Sequence, residues 1–192
     1  MDDKDIIALI LKGDREKYRL LVEKYQQMVF RTCLGFVHNK EDADDLTQDV
    51  FIRAYQSLSG FKGNSAFSTW LYRIAVNASL NRIRKKSPLN ILFRKPGRTS
   101  ANIKEEEFFY QLKDEDNPEE ILIREEHIKW VHRALESLPE KQRTAIVLSK
   151  YDELPQKEIA EIMKISEGAV EALLQRAKRN LRLKLGASQK KI

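Results

Sequence analysis

The residues of this chain with the most chemistry in them are aromatic, amide and cationic, and they lie together. From Phe61 the sequence runs Phe61-Lys62-Gly63-Asn64-Ser65-Ala66-Phe67-Ser68-Thr69-Trp70, and Arg73, Asn77, Asn81, Arg84 and Lys85 follow. The spacing of four, four and three from Arg73 to Arg84 puts those four on one face of a helix. Aromatic rings and guanidinium planes stack on unpaired bases, and an amide offers a donor and an acceptor to a base edge. A polar loop such as Lys62 to Ser65 can wrap a base drawn out of its stack, because glycine lets the backbone come close. No acidic residue occurs between Asp49 and Glu105. The block therefore reads as a single-strand binder, with no local carboxylate for acid–base chemistry on that strand. Phe67, Trp70 and Tyr72 also suit a core, and most of that trio is expected to be buried.

A second constellation lies between Pro155 and Leu174, where the order of small, apolar and capping residues fits a helix-turn-helix. Ile159 and the small Ala160 lie in the first helix, Met163 and Ile165 bracket the turn, and Val170 and Leu173 pack the second helix back. Ser166 is the natural cap of that helix, followed by Glu167. Its outward positions are Gly168, Glu171, Ala172, Gln175, Lys178, Arg179 and Arg182. Such a helix offers its N-terminal half to base edges and its cations to phosphates, so Glu171 and Gln175 are candidate base readers and Lys178, Arg179 and Arg182 candidate phosphate partners. Lys164 falls in the turn, where a positive φ would cost a lysine about 1 kcal/mol.

These groups must be held by helices. Among 192 residues there are only 7 Gly and 5 Pro, too few for the turns of a sandwich, a barrel or a loop-rich α/β enzyme. With 42% apolar residues the chain can bury a core, and 33% charged residues suit small helical domains. There is no glycine-rich phosphate loop, and a single Cys33 with three scattered His excludes an internal disulfide and a multi-cysteine zinc site. No metal, cofactor or small-molecule substrate is expected. The acidic start predicts a chain without a signal peptide, and no apolar run approaches the roughly 18 residues of a membrane span, which points to the cytoplasm. The net charge of +6 is segregated: after Glu171 every charge is basic, as is every charge from Arg73 to Lys95. Basic clusters on helices are the usual footprint of phosphate-backbone binding.

The apolar periodicity predicts an all-α chain of two small helical domains joined by a flexible linker. Four helices fill the first half. The first ends at Gly13, the third is capped by Asn39, and the fourth is capped by Ser65 or Ser68 and closed by Pro88. The expected boundaries are 1–90 for the first domain, 91–117 for the linker, 118–186 for the second domain and 187–192 for a tail. Asn117-Pro118-Glu119 is a strong helix start. Further helices are expected near 118–137, 140–151, 155–163 and 167–185. The stripes are expected to close within each half, and Phe108 to Tyr110 to form a local cluster inside the linker.

Four segments together resemble the extracytoplasmic-function sigma factors, small bacterial initiation factors that keep only region 2 and region 4 of the sigma-70 family. They are Asp44-Asp45-Leu46-Thr47-Gln48-Asp49-Val50-Phe51-Ile52-Arg53, the Phe61 to Asn81 block, Leu138-Pro139-Glu140-Lys141-Gln142-Arg143, and the helix-turn-helix. The resemblance covers about residues 5–86 and 118–185, and the string Phe67 to Asn77 is its most specific part.

The resemblance implies roles for residues already singled out. Asp44, Asp45, Gln48, Asp49 and Arg53 would dock on the clamp helices of the β′ subunit of core RNA polymerase; Asp42, Asp45 and Asp49 lie along one side of that helix and suit a basic partner. Phe61, Lys62, Gly63, Asn64, Ser65, Phe67, Trp70, Arg73, Asn77, Asn81, Arg84 and Lys85 would melt and read the −10 promoter element, capturing a flipped base in the loop at 61–66. Ser166, Glu167, Gly168, Glu171, Ala172, Gln175, Arg176, Lys178 and Arg179 would read the −35 duplex. Region 4 would also bind the β flap, and an anti-sigma factor, often membrane-bound, would hold the chain silent, at the inner face of the membrane in that case. Glu171 and Leu173 stand where the family commonly has basic residues, so more of the −35 contact falls on Gln175 to Arg179. Asp49 replaces the commoner Glu.

Two other classes fit less of the sequence. A helix-turn-helix regulator independent of polymerase would need a dimer surface and would leave the Phe61–Arg84 block unexplained. An enzyme acting on single strands would need a metal or an acid–base pair near the aromatics. The reading adopted is a promoter-specificity subunit, not an enzyme.

Overall fold

The computed structural model describes residues 1–86 and 118–188. Among them are eight α-helices: α1 Asp3–Leu11, α2 Tyr18–Val37, α3 Lys40–Gln56, α4 Phe67–Lys86, α5 Pro118–Glu136, α6 Glu140–Lys150, α7 Gln156–Met163 and α8 Glu167–Ser188. Two helical domains are present, as the periodicity predicts. The linker, Pro88 and the Phe108–Tyr110 trio lie outside the described residues.

Local chemistry sets the helix ends. Asp2 caps α1, its Oδ1 accepting from the Asp3 amide at 2.7 Å. Asn39 caps α3, accepting from the Asp42 amide at 2.8 Å, and Glu41 and Asp42 complement the helix N-terminus. Between α2 and α3 the chain reverses through His38, which takes a left-handed φ of 53°. For α4 the expected serine cap is corrected. The helix starts at Phe67, so Ala66 stands at the flanking position and its carbonyl accepts from the Trp70 amide.

The first core joins Ile6, Ile7 and Ile10 of α1 to Leu21, Val29 and Cys33 of α2, Leu46, Val50 and Ala54 of α3, and Phe67, Leu71, Ala75 and Ala78 of α4. Tyr18 donates to the Phe51 carbonyl at 2.7 Å, tying α2 to α3. Cys33 is fully buried, and burial pushes its thiol up to about 11, so it is inert at neutral pH. The second core is built on Leu135, Leu138, Ala145, Val147, Leu148, Ile159, Val170, Leu174 and Ala177. Arg143 is buried beside it and donates to the carbonyls of Leu135 and Glu136 at the end of α5 and of Leu138 just beyond it.

The stripes do not close within each half. Phe36 of α2 and Tyr72 and Val76 of α4 are buried in the second core, with Leu80 and Ile83 packed alongside. α4 has two apolar faces: Phe67, Leu71, Ala75 and Ala78 turn to one core, and Tyr72 and Val76 to the other. At its C-terminal end α2 is buried on every side, from Thr32 to Phe36 without a break.

Candidate nucleic-acid interface

The loop before α4 presents a polar tip on an aromatic base. Lys62, Gly63 and Asn64 are exposed and Ser65 is half-buried. Gly63 has φ +70°, a conformation that a side chain strains, so its glycine is set by backbone angle. Phe61 packs edge-on against Phe67 with centroids 5.6 Å apart and lies 5.3 Å from Trp70; Phe67 and Trp70 are 5.5 Å apart. Phe67 and Tyr72 are buried, as expected, while Phe61 and Trp70 keep part of their surface in solvent. The tip is therefore open to solvent, and the rings behind it pack on one another.

On α4, Arg73, Asn77, Asn81 and Arg84 do share a face, with Asn77 and Asn81 exposed. Arg84 Nη1 donates to Asn81 Oδ1 at 3.3 Å. The two arginines, however, are turned toward the second half. Arg73 Nε donates to the Ile162 carbonyl at 3.2 Å and its Nη2 to the Glu161 carbonyl at 2.8 Å. Arg84 makes a two-pronged pair with Glu140, Nε to Oε1 at 2.6 Å and Nη2 to Oε2 at 2.5 Å. That fork holds the guanidinium's proton more tightly and lowers the Glu140 carboxyl. Lys85, one position on, is exposed.

α7 and α8 form the expected helix-turn-helix. Lys164 takes the left-handed turn position, with φ 55° and ψ 47°. The Ser166 Oγ accepts from the Ala169 amide at 3.2 Å, as its capping assignment requires. Glu167, Gly168, Glu171, Gln175, Arg176, Lys178 and Arg179 are all exposed. Gln175 donates to Glu171 at 3.2 Å, so the two candidate base readers stand together. Two positions shift. Leu174 rather than Leu173 is the deeply buried residue, in register with Val170 and Ala177, and Ala172 is half-buried.

On α3, Asp44, Asp45, Gln48, Asp49 and Arg53 are exposed. Asp42 does not join them. It pairs with Arg82 of α4 at 2.6 Å and is largely covered. Beside the acids stand two exposed apolar residues that the docking set leaves out: Ile52 is 55% exposed and Tyr55 37%. Asp45, Gln48, Ile52 and Tyr55 follow three and four apart, so the face is acidic at one end and apolar at the other. That spacing is present in the sequence, but Tyr55 directly follows the buried Ala54 and fits the core stripe equally well.

Among the described residues no group of His, Cys, Asp and Glu could hold a metal ion, and no helix is long and apolar enough to cross a membrane.

The Sigma-70 region 2 family matches residues 21–88, and the Sigma-70, region 4 family matches residues 128–181. Curated relatives align over nearly the whole chain. The ECF RNA polymerase sigma-E factor of Escherichia coli (strain K12) is 38% identical over 181 residues, 93% of this chain and 91% of that one. The RNA polymerase sigma-H factor of Pseudomonas aeruginosa is 35% identical over 179 residues, 92% and 90% of the two chains. The chain belongs to the extracytoplasmic-function sigma factors.

The fold of this sigma factor is also found in solved structures. One is CnrH in complex with the cytosolic domain of CnrY, with TM-score 0.63, 23% identity and coverage of 96% and 97%. Another is the sigma factor RpoE in complex with the anti-sigma factor NepR from Bartonella quintana, with TM-score 0.59, 18% identity and coverage of 89% and 98%. Region 2 of this sigma factor thus holds α2, α3 and α4, with the acidic α3 face and the loop at 61–66. Region 4 holds the helix-turn-helix, with Arg143 anchoring α6 beneath α5.

Proposed function

We propose that this sigma factor divides promoter recognition between three surfaces, each made of one helix or loop. The α3 face of Asp45, Gln48, Asp49, Ile52 and Tyr55, with Asp44 and Arg53 at its margins, docks on basic clamp helices of core RNA polymerase; the acids give complementarity and the apolar pair gives burial. The tip Lys62 to Ser65 and the α4 strip carrying Asn77 and Asn81 take the melted −10 strand, with Phe61 and Trp70 as stacking platform and Arg73, Arg84 and Lys85 toward phosphates. The N-terminal half of α8 enters the −35 major groove, where Glu171 and Gln175 read bases and Arg176, Lys178 and Arg179 neutralise phosphates. Because it supplies recognition, the factor leaves catalysis to the polymerase, and it works in the cytoplasm where polymerase and promoters are. An anti-sigma factor is a further partner of the same chain.

The observation that carries this reading is the pairing, within one helical unit, of an exposed acidic and apolar face on α3 with an acid-free polar face on α4. The test is run-off transcription with core polymerase on genomic DNA, with start sites mapped. Discrete starts sharing two spaced elements are expected, and their loss in an Asp45→Arg/Asp49→Arg variant. Starts that do not depend on the added factor would refute it.

A further inference from the structure

We propose that Glu171 and Gln175 act as one reading unit on α8: Glu171 selects a cytosine and Gln175 an adenine within two base pairs of it. This pairing rests on the reading of α8 as the helix that enters the −35 major groove. Both side chains are exposed, four residues apart on one face of α8. The Gln175 Nε2 donates to the Glu171 Oε1 at 3.2 Å. That bond settles which hydrogen-bonding groups are left for a partner. Glu171 keeps Oε2, which as part of a carboxylate only accepts. Gln175 keeps one amide hydrogen and its carbonyl oxygen, a donor and an acceptor on one amide plane.

The edges of the bases answer these two sets differently. In the major groove guanine shows two acceptors, and thymine an acceptor and a methyl group. Both repel a carboxylate. Adenine sets the N7 acceptor beside its N6 donor, whereas cytosine shows the N4 donor with no acceptor next to it. Cytosine is therefore the best match for Glu171. The donor and acceptor left on Gln175 are the complement of adenine N7 and N6. Four residues of helix rise about 6 Å, and base pairs stack about 3.4 Å apart, so the two contacts fall within two base pairs. The bond to Glu171 also holds the glutamine amide before DNA arrives, which lowers the cost of ordering a long side chain on binding. The surroundings leave the carboxylate available. Among the described residues no Lys or Arg is within ion-pair distance of Glu171. Gly168, three residues earlier on the same face, is exposed, and a β-carbon built there would meet nothing within 4 Å. No neighbour among the described residues asks for a glycine at that position, and its bareness lets a groove wall come up to Glu171. Lys178 and Arg179, one turn beyond Gln175 and exposed, offset the repulsion between the carboxylate and the phosphates.

The test uses the factor bound to core polymerase and a promoter mapped by run-off transcription, with its −35 segment randomised and the bound DNA sequenced. The parent is expected to enrich a cytosine and an adenine within two base pairs. Glu171→Gln, nearly unchanged in shape, is expected to replace that cytosine by adenine, and Gln175→Ala to lose the preference for adenine. Each change is expected to be about 5- to 150-fold, the range of a good base contact, with other positions as in the parent. Letters that stay the same in the parent and both variants overturn the reading unit; loss of binding in Lys178→Ala/Arg179→Ala then leaves α8 in the groove. A guanine or thymine at the position that Glu171→Gln alters overturns the cytosine assignment. No enrichment at any randomised position, with Lys178→Ala/Arg179→Ala silent, overturns both the unit and the placing of α8 on the −35 duplex.

Discussion

His38 and His132 stack face to face across the seam between the two regions, with ring centroids 4.1 Å apart and planes 8° apart. His38 is 6% exposed, and neither of its ring nitrogens has a hydrogen-bond partner. Burial, then the charges of His132 and Arg143, bring its imidazole down from 6.5 to about 3. A short way along the same seam, burial pushes the Asp152 carboxyl from 3.8 up to about 7, against the Thr32 hydroxyl and the Arg31 guanidinium.

These two groups oppose each other in pH. The folded chain keeps His38 neutral where the unfolded chain protonates it, so that contribution to stability is lost as pH falls from about 6.5 toward 3. The folded chain keeps Asp152 protonated where the unfolded chain ionises it, so that contribution is lost as pH rises from about 4 to 7. Between about 4 and 6.5 the slopes cancel, each at most ~1.4 kcal/mol per pH unit. Relative to the parent, His38→Phe is expected to become less stable as pH rises through that window, and Asp152→Asn less stable as it falls. Urea unfolding at a series of pH values reads both. Parallel pH profiles for parent and variants would refute the assignment.

Arg143 gives a prediction about region 4 alone. Its guanidinium satisfies the carbonyls of Leu135, Glu136 and Leu138 from a buried position. Truncation leaves the Glu136 and Leu138 carbonyls without this donor at about 1–3 kcal/mol each, less what water recovers, while the Leu135 carbonyl keeps the Leu138 amide. Arg143→Ala is expected to cost about 2–4 kcal/mol, and Arg143→Lys to recover less than half, since one ammonium cannot span the set. Chemical denaturation measures it; a loss under about 0.5 kcal/mol would be that of an ordinary surface site.

The helices and both caps at Asn39 and Ser166 were legible because a local pattern decides them. Lys164 was legible too, as a turn position whose left-handed backbone a lysine occupies at a cost. The seam was not. Phe36, Tyr72 and Val76 fit a single-domain stripe as well as they fit a second core, and nothing local says which neighbour covers a helix with two apolar faces. Arg73 and Arg84 read as phosphate partners because composition reports a cation's affinity for anions, and a carbonyl terminus or a glutamate answers that affinity as a phosphate does. Asp42 was misassigned for the same reason: its partner Arg82 is 40 residues away.

The α3 face carries the third prediction. Asp45→Arg with Asp49→Arg reverses the charge facing a basic partner, and Ile52→Asp removes the apolar contact without altering the helix. The charge reversal is expected to abolish capture of core polymerase and to slow association; Ile52→Asp is expected to weaken capture by about tenfold or more, mainly through faster dissociation. All three residues are exposed, so melting temperatures should stay put. Undiminished pull-down of core polymerase by the double variant would remove this surface from the docking assignment.

The last prediction separates reading from positioning on region 2, in the polymerase-bound factor where the strand has access. Asn64 stands at the exposed loop tip and Asn81 on the exposed strip of α4, and an amide that pairs with a base edge distinguishes bases by about 1–3 kcal/mol. Asn64→Ala and Asn81→Ala are each expected to lose that discrimination at one −10 position and to leave affinity for other sequences nearly unchanged. Arg84→Ala is expected to weaken every sequence alike and to lower the salt dependence by about one counterion. Trp70 belongs to both accounts, because it packs on Phe61 and Phe67 while keeping part of its ring in solvent. Trp70→Ala should therefore lower stability by less than the ~3–5 kcal/mol of a fully buried aromatic, and still cost strand affinity. Labelled −10 strands with each base varied in turn, titrated against the holoenzyme at two salt concentrations, read all four variants. Unchanged base preference in both asparagine variants would move the reading site elsewhere.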